Sequence, residues 1–547
     1  MKTLSLLKRE GLFHLFILFI SSNAWAAVGP NWIEQWGITW LFDRNISVDS
    51  DSRMYQYGQF VNGDYWIIGP VNIISISPPC TITGGRIING TMINPIPSNR
   101  QSYDSAADGW LPEFNVGLGI DAGNPLFVDV SKVPVNSLIS TISTDTVPSK
   151  RGSPRLQTAA ILTVVSSAPS ADAFRPPYAG NIKPTEIRKA HIDWDTLGDL
   201  PTVQSTPSMS ESERDFERCW LVHKGPYPAE VIQPVDNMPD YGRTVARKVS
   251  IASLQLNLDY TKEQKEILLV RFLQYGIDVY GIADCQESLV PVYSSYTPQR
   301  IWYGAGGIGI GKRTPLAFAA KVLNHAGMIS VLSKQGDYLW ENTDADGYPD
   351  PYGPGRDNFP PDYIQFGEEQ VFYVRQIHVD LTQNRATSGW PSWSPDSRNE
   401  KKIPFTTEDI GLPEWGERAA ENPHSVNSHW FIGYRSITGG PQVGSALALR
   451  IMSAIDISNH DAWFDYYDRY MTFIQDTRFT YELNGRRITP FVSDKPWRFG
   501  ADGPDLYASE PFVWNMWLTY RADYGPIWPD TESHTGEDTL RSRIEIN

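Results

Sequence analysis

The chain has 547 residues, enough for two or three domains, and its formal net charge of −16 argues against a nucleic-acid partner. Aromatic residues make up 12% of it, with 19 Trp and 26 Tyr, a content suited to a large aromatic core or to stacking on sugar faces. Three cysteines, Cys80, Cys219 and Cys285, allow at most one intramolecular disulfide, and their spacing suggests neither a zinc site nor a thiol nucleophile.

The first residues read as an export signal. Lys2, Lys8 and Arg9 precede the apolar run Leu12–Ile20, and Ala24-Trp25-Ala26 supplies the small-residue cleavage site. The predicted signal peptide is residues 1–26. The apolar run is too short to span a bilayer, and no other stretch approaches spanning length. The expectation is a secreted or periplasmic protein with no integral membrane span.

Residues 27–180 read as a β-rich domain. Tyr65–Ile68 and Val71–Ile76 carry β-branched and aromatic residues, with Gly69-Pro70 between them. Asn62-Gly63-Asp64 and Asn89-Gly90 have hairpin-turn chemistry. Ala159–Val165 is an apolar run that predicts a buried strand. A β-sandwich is the economical expectation. Phe174-Arg175-Pro176-Pro177-Tyr178 then opens a Pro- and Gly-rich stretch, and residues 181–244 are expected to be linker and irregular segment.

From 245 to 547 the pattern is helical. Thr261-Lys262-Glu263-Gln264 forms a capping box ahead of an apolar face over Glu266–Ile277. Further helices are predicted over Thr314–Leu332, Val443–Ile455, Asp461–Gln475 and Glu510–Arg521. Long loops, Gly336–Phe366 and Gln383–Trp415, separate them, and loops of that length in a compact domain are usually functional or separately stabilised.

One stretch organises this half. Between Trp302 and Ala320, Gly304, Gly306, Gly307, Gly309 and Gly311 are followed by Lys312, Arg313 and Thr314-Pro315. A glycine-rich loop feeding a helix N-terminus suits an anion, because free N–H groups and the helix dipole point at it. No nucleotide cofactor is expected. The segment before Gly304 is polar and holds Pro298 instead of a buried strand, and Arg313 stands where a P-loop needs Ser or Thr. Two readings remain. The loop either lets two helices pack closely or lines a cleft for an acidic ligand, with Tyr303, Lys312 and Arg313 on it.

A second cluster, Asn427-Ser428-His429-Trp430 through Tyr434-Arg435, gathers a base, an acid and a carboxylate-binding fork within nine positions. A third, Asn459-His460-Asp461 with Asp465, Asp468 and Arg469, is either a site or a solvated ion-pair face. Finally, Asn342, Asp344, Asp346 and Asp350 stand at positions 1, 3, 5 and 9 of a loop with Gly347 at position 6, as in calcium loops. Gly353 replaces the usual acidic residue at position 12, and the alternative is a plain polar turn. A structural calcium is the cofactor expectation.

The segment Gln274-Tyr275-Gly276-Ile277-Asp278-Val279-Tyr280-Gly281 and the Asn427…His429-Trp430…Tyr434-Arg435 cluster resemble α/α-toroid carbohydrate-active enzymes, nearest to alginate-lyase and heparinase-like polysaccharide lyases. The fold implied is multidomain α+β, an N-terminal β-sandwich-like domain followed by a mainly α-helical, α/α toroid-like domain. The resemblance implies cleavage of a uronate-containing glycan by β-elimination. It assigns His429 and Tyr434 to proton transfer and Asn427 and Arg435 to the substrate carboxylate. Tyr303, Lys312, Arg313 and Trp430 would bind substrate. Two alternatives remain: a glycoside hydrolase using two of Asp278, Glu368, Glu369 and Asp468, or a non-catalytic glycan-binding surface protein.

Overall fold

The computed structural model describes residues 26–98, 100–145, 155–181, 183, 186–224, 232–239, 241–285, 302, 309–333, 366–376, 379–380, 383, 406–415, 434–475, 481–483, 486–488 and 510–528. The architecture is mixed α+β, with a sheet-rich N-terminal region and a later helical region.

Among the described residues, thirteen strands build the first region. They are β1 (Ala26–Val28), β2 (Trp32–Gln35), β3 (Ile38–Phe42), β4 (Ile46–Ser47), β5 (Tyr55–Gln59), β6 (Tyr65–Ile68), β7 (Val71–Ser77), β8 (Thr81–Thr83), β9 (Arg86–Ile88), β10 (Thr91–Ile93), β11 (Leu126–Val128), β12 (Val135–Ser143) and β13 (Leu156–Val165). One sheet runs β1-β2-β3-β7-β11 and the other β10-β12-β13-β6-β5-β4, with β8 and β9 as a separate ribbon. The expected Asn62-Gly63-Asp64 turn does join the antiparallel pair β5 and β6, with Gly63 at φ 92°. Asn89-Gly90 does not make a hairpin. Asn89, at φ 58°, redirects the chain from β9 into β10, which pairs with β12 instead.

The run Ala159–Val165 is apolar except for buried Thr163, because β13 is covered on both faces. Alternate residues serve different cores. Ala160, Leu162 and Val164 join Trp40, Ile73 and Leu138 between the two sheets. Ala159 and Ile161 face the other way, into a core shared with Phe174, Trp220 and the helices. The sheets and the helical half are therefore one packed body, with Phe174–Tyr178 buried between them.

Among the described residues the α-helices are Met209–Asp215, Gly242–Gln255, Lys262–Asp284, Arg313–Leu323, Ala326–Ser333, Tyr434–Ile451, Ile455–Ser458, Asp461–Gln475 and Pro511–Tyr520. The capping box is formed as expected: Gln264 N donates to Thr261 Oγ1 at 3.3 Å, and Thr261 N to Gln264 Oε1 at 2.9 Å. The segment expected as one helix over Thr314–Leu332 is two, because Asn324 takes a left-handed φ of 45° and caps the first. Val443–Ile455 was expected as a helix; the observed helix starts earlier, at Tyr434, and runs through Pro441. No helix among the described residues is long and apolar enough to cross a membrane.

The segment Gln274–Gly281 is built for contact. A Cβ on Gly276 would stand 2.5 Å from the Pro315 carbonyl oxygen, so its absence lets the 262–284 and 313–323 helices close on each other. Gln274 Nε2 donates to the Arg175 carbonyl at 3.0 Å. Asp278 accepts a two-pronged pair from Arg175 at 2.9 and 2.5 Å, and Arg175 Nε reaches Asp64 at 2.6 Å. A residue of the β5–β6 turn, a residue of the connecting segment and a helix are thereby tied by one buried ion triad.

Candidate functional site

The glycine-rich stretch ends in a site. Gly311 adopts φ 84°, and a Cβ there would lie 2.8 Å from backbone atoms of Ala246. That turn aims the amides of Gly311 and Lys312 at one point, ahead of the Arg313–Leu323 helix. The Glu368 carboxylate fills the point, its Oε1 accepting from Gly311 N at 2.7 Å and Lys312 N at 3.2 Å. The anion-binding arrangement legible in the sequence is thus occupied from within the chain.

Glu368 lies in the short turn Gly367–Gln370, which leads into the strand Val371–Tyr373. It is fully buried, and burial pushes its pKa up against the amide hydrogen bonds that hold it down. Its Oε2 has no hydrogen-bond partner among the described residues. Lys312, also buried, donates from Nζ to the Ile310 carbonyl at 2.9 Å. Desolvation lowers its pKa to about 8, opposed by the charge of Glu368. His460 Nε2 meets the Glu368 backbone oxygen at 2.9 Å. A carbonyl only accepts, so Nε2 carries the proton. Burial, and then the charge of Arg313, draws the His460 pKa down to about 3, which keeps the ring neutral.

Aromatic side chains enclose this group. Tyr275 Oη donates to the Gly311 carbonyl at 3.3 Å, and buried Tyr467 feels the Glu368 charge. Trp463 Nε1 reaches Gln442 Oε1 at 3.4 Å. The arrangement places a carboxyl held toward its protonated form, an amine held toward its neutral form and a neutral imidazole around one glycine turn. Groups whose pKa values are pushed in opposite directions are what general acid–base chemistry requires.

Arg313 has a different set of contacts. Its Nη2 donates to the Ser458 carbonyl and, at 3.4 Å, to the Leu332 carbonyl, and its guanidinium lies 5.5 Å from the centre of the Phe366 ring. It satisfies carbonyls at the C-terminal ends of two helices, a favourable place for a cation.

Of the other expected site residues, Tyr434 and Arg435 open the Tyr434–Ile451 helix, and their side chains lie outside the described residues. Tyr303, Asn427, His429, Trp430, and the calcium-loop residues Asn342, Asp344, Asp346 and Asp350 also lie outside them. Among the described residues, no cluster of His, Cys, Asp or Glu is placed to hold a metal. None of the three cysteines is in a disulfide.

The cluster Asp465–Tyr470 is a buried network rather than a solvated face. Asp468 binds Arg450 at 3.0 Å and Arg521 Nε at 2.6 Å, and Arg469 binds Glu414 at 3.0 Å. Asp465 accepts from Tyr373 Oη at 2.6 Å. The contact between His460 and Glu368 was the part sequence reading missed. They stand 92 residues apart, and no spacing rule links them. Compared with known proteins, the chain matches no family model, no curated protein and no solved structure.

Proposed function

We propose that this chain is an exported polysaccharide-degrading enzyme that cleaves a uronate-containing glycan by β-elimination. In this reading its helices form part of an α/α toroid. The observation that carries the reading is the Glu368 carboxyl on the Gly311–Lys312 turn, with buried Lys312 and neutral His460 against it. Such a centre supplies an acid, a base and a cation for abstraction of a proton next to a carboxylate. His429, Tyr434, Asn427 and Arg435, together with Tyr303 and Trp430, complete the substrate cleft in the proposal.

The hydrolase alternative needs two carboxyl groups free to face one glycosidic bond. Asp278 is held in a fork by Arg175, and Asp468 by Arg450 and Arg521. Glu368 alone of these three has no arginine among its hydrogen-bond partners at the described residues. That favours elimination, where a single carboxyl suffices.

The test is incubation with a panel of uronate and neutral glycans, read by the ultraviolet absorbance of unsaturated uronate and by new reducing ends. Absorbance is expected. Reducing ends without absorbance would give the hydrolase, and binding without either would give the glycan-binding surface protein. Glu368→Gln keeps the shape and the amide contacts but removes the titrating proton, and should lower turnover by about 10²–10⁴-fold. Undiminished turnover in that variant would remove Glu368 from the chemistry.

A further inference from the structure

A groove lies where the sandwich meets the 262–284 helix, with room for about 360 Å³. Its walls mix apolar side chains, from Phe60, Val165, Ala173, Phe174, Ile187 and Ile277, with polar ones that include Arg175 and Glu186, and its size is in the range of small-molecule sites. One amine, Lys183, reaches it. Lys183 Nζ donates to the Pro177 carbonyl at 2.7 Å and to the Ala179 carbonyl at 3.3 Å. Glu186 lines the same groove but makes no ion pair with Lys183 among the described residues; the titratable groups that act on Lys183 are Arg175, Asp278 and Cys285.

A neutral amine has two N–H bonds and one lone pair. Two carbonyl oxygens, which only accept, use both N–H bonds and leave the lone pair as the remaining direction. Desolvation, and then the positive charge of Arg175, lowers the Lys183 pKa to about 7 against the opposing pull of Asp278 and Cys285. A lysine partly desolvated beside another cation is how amines are activated as nucleophiles.

We propose that Lys183 is a nucleophilic amine that captures aldehydes or ketones with an apolar body in this groove, as imines. The Nζ lone pair forms a bond to the carbonyl carbon while the C=O π pair moves to oxygen. Both amine hydrogens then leave with that oxygen as water, and the C=N bond forms. The neutral imine retains no N–H, and its protonated form one, so the bonds to Pro177 and Ala179 are given up in turn. No oxidant or reductant is needed.

The experiment uses the full chain with benzaldehyde and sodium cyanoborohydride, which reduces the imine to a stable benzyl amine located by peptide mass mapping. At pH 7 an ordinary lysine is neutral in about one molecule in a thousand, whereas a pKa near 7 leaves about half of Lys183 neutral. Lys183 is therefore expected to label at least about 10-fold faster than surface lysines. Glyoxylate, which lacks an apolar body, should show a smaller preference, and urea should abolish it. Labelling of Lys183 at the surface rate overturns the proposal. So does equal selectivity with glyoxylate, or retention of selectivity in the unfolded chain. Binding of benzoate in the groove without a benzaldehyde adduct would make it an anion site and equally overturn it.

Discussion

Gly311 illustrates how one residue sets the candidate site. Its left-handed φ and the 2.8 Å limit set by Ala246 both exclude a side chain. Gly311→Ala should therefore cost about 1–3 kcal/mol from the backbone conformation alone, with the steric clash in addition. It should also weaken the two amide bonds to Glu368. A urea titration checks the first effect, and the pH dependence of glycan turnover the second. Unchanged stability would mean that the turn relaxes without loss. Lys312 offers a separate check: Lys312→Met removes a cation that is already costly to bury, so turnover should fall while stability changes little. The presence of this turn was legible in the glycine run followed by Lys312-Arg313. The identity of its anion was not, because Glu368 comes from a distant turn whose local sequence, Gly367-Glu368-Glu369-Gln370, resembles any exposed acidic loop.

At the level of elements, sequence rules held where one local interaction decides the outcome. The capping box at Thr261 is such a case, and Thr261→Ala should destabilise the protein by about 1 kcal/mol, read as a shift in the urea midpoint. No shift would mean that tertiary packing alone sets the start of that helix. The strands β6, β7 and β13 were legible from their β-branched content and flanking turns. Rules failed where tertiary contacts override local preference. Asn324 breaks a continuous apolar pattern, and the second helix then turns so that its Leu332 carbonyl reaches Arg313. The Gln274–Gly281 segment, from which a family resemblance was expected, is explained by close packing at Gly276 and by the Asp278–Arg175 pair. For the Asn342–Asp350 loop the proposal of a structural calcium stands on ligand spacing. Calcium should raise the melting temperature by mass action, and Asp344→Ala/Asp346→Ala should abolish that response. A melting temperature unmoved by chelator would remove the metal.

The whole molecule depends on buried charge and buried imidazole at its internal joins. Arg175 balances two carboxylates between the halves, so Arg175→Met would leave both uncompensated. Its removal should cost about 3–5 kcal/mol in a urea titration, more than a change at an exposed pair. The histidines determine behaviour in acid. His223, buried with Nδ1 3.2 Å from Tyr178 Oη, has its pKa drawn down to about 3 by desolvation and then by Lys224. His460 is drawn down to about 3 by desolvation and Arg313. Both would take up a proton near 6.5 if released from the fold. Below that pH the unfolded chain binds protons that the folded chain refuses, so their contribution is complete above 6.5 and is lost as the pH falls toward 3. Glu368 has the opposite sign. Its raised pKa favours the fold in acid, a contribution lost as the pH rises through its folded value. Each histidine should lower the unfolding free energy from pH 7 to pH 4 by an amount on the order of 3 kcal/mol, opposed by Glu368, Asp215 and Asp278, whose raised pKa values have the other sign. Urea titrations across that range should show a shallower decline in His223→Gln and in His460→Gln, each relative to its own value at pH 7. A slope unchanged by both substitutions would assign the acid sensitivity to other groups and overturn the neutral state of the two rings.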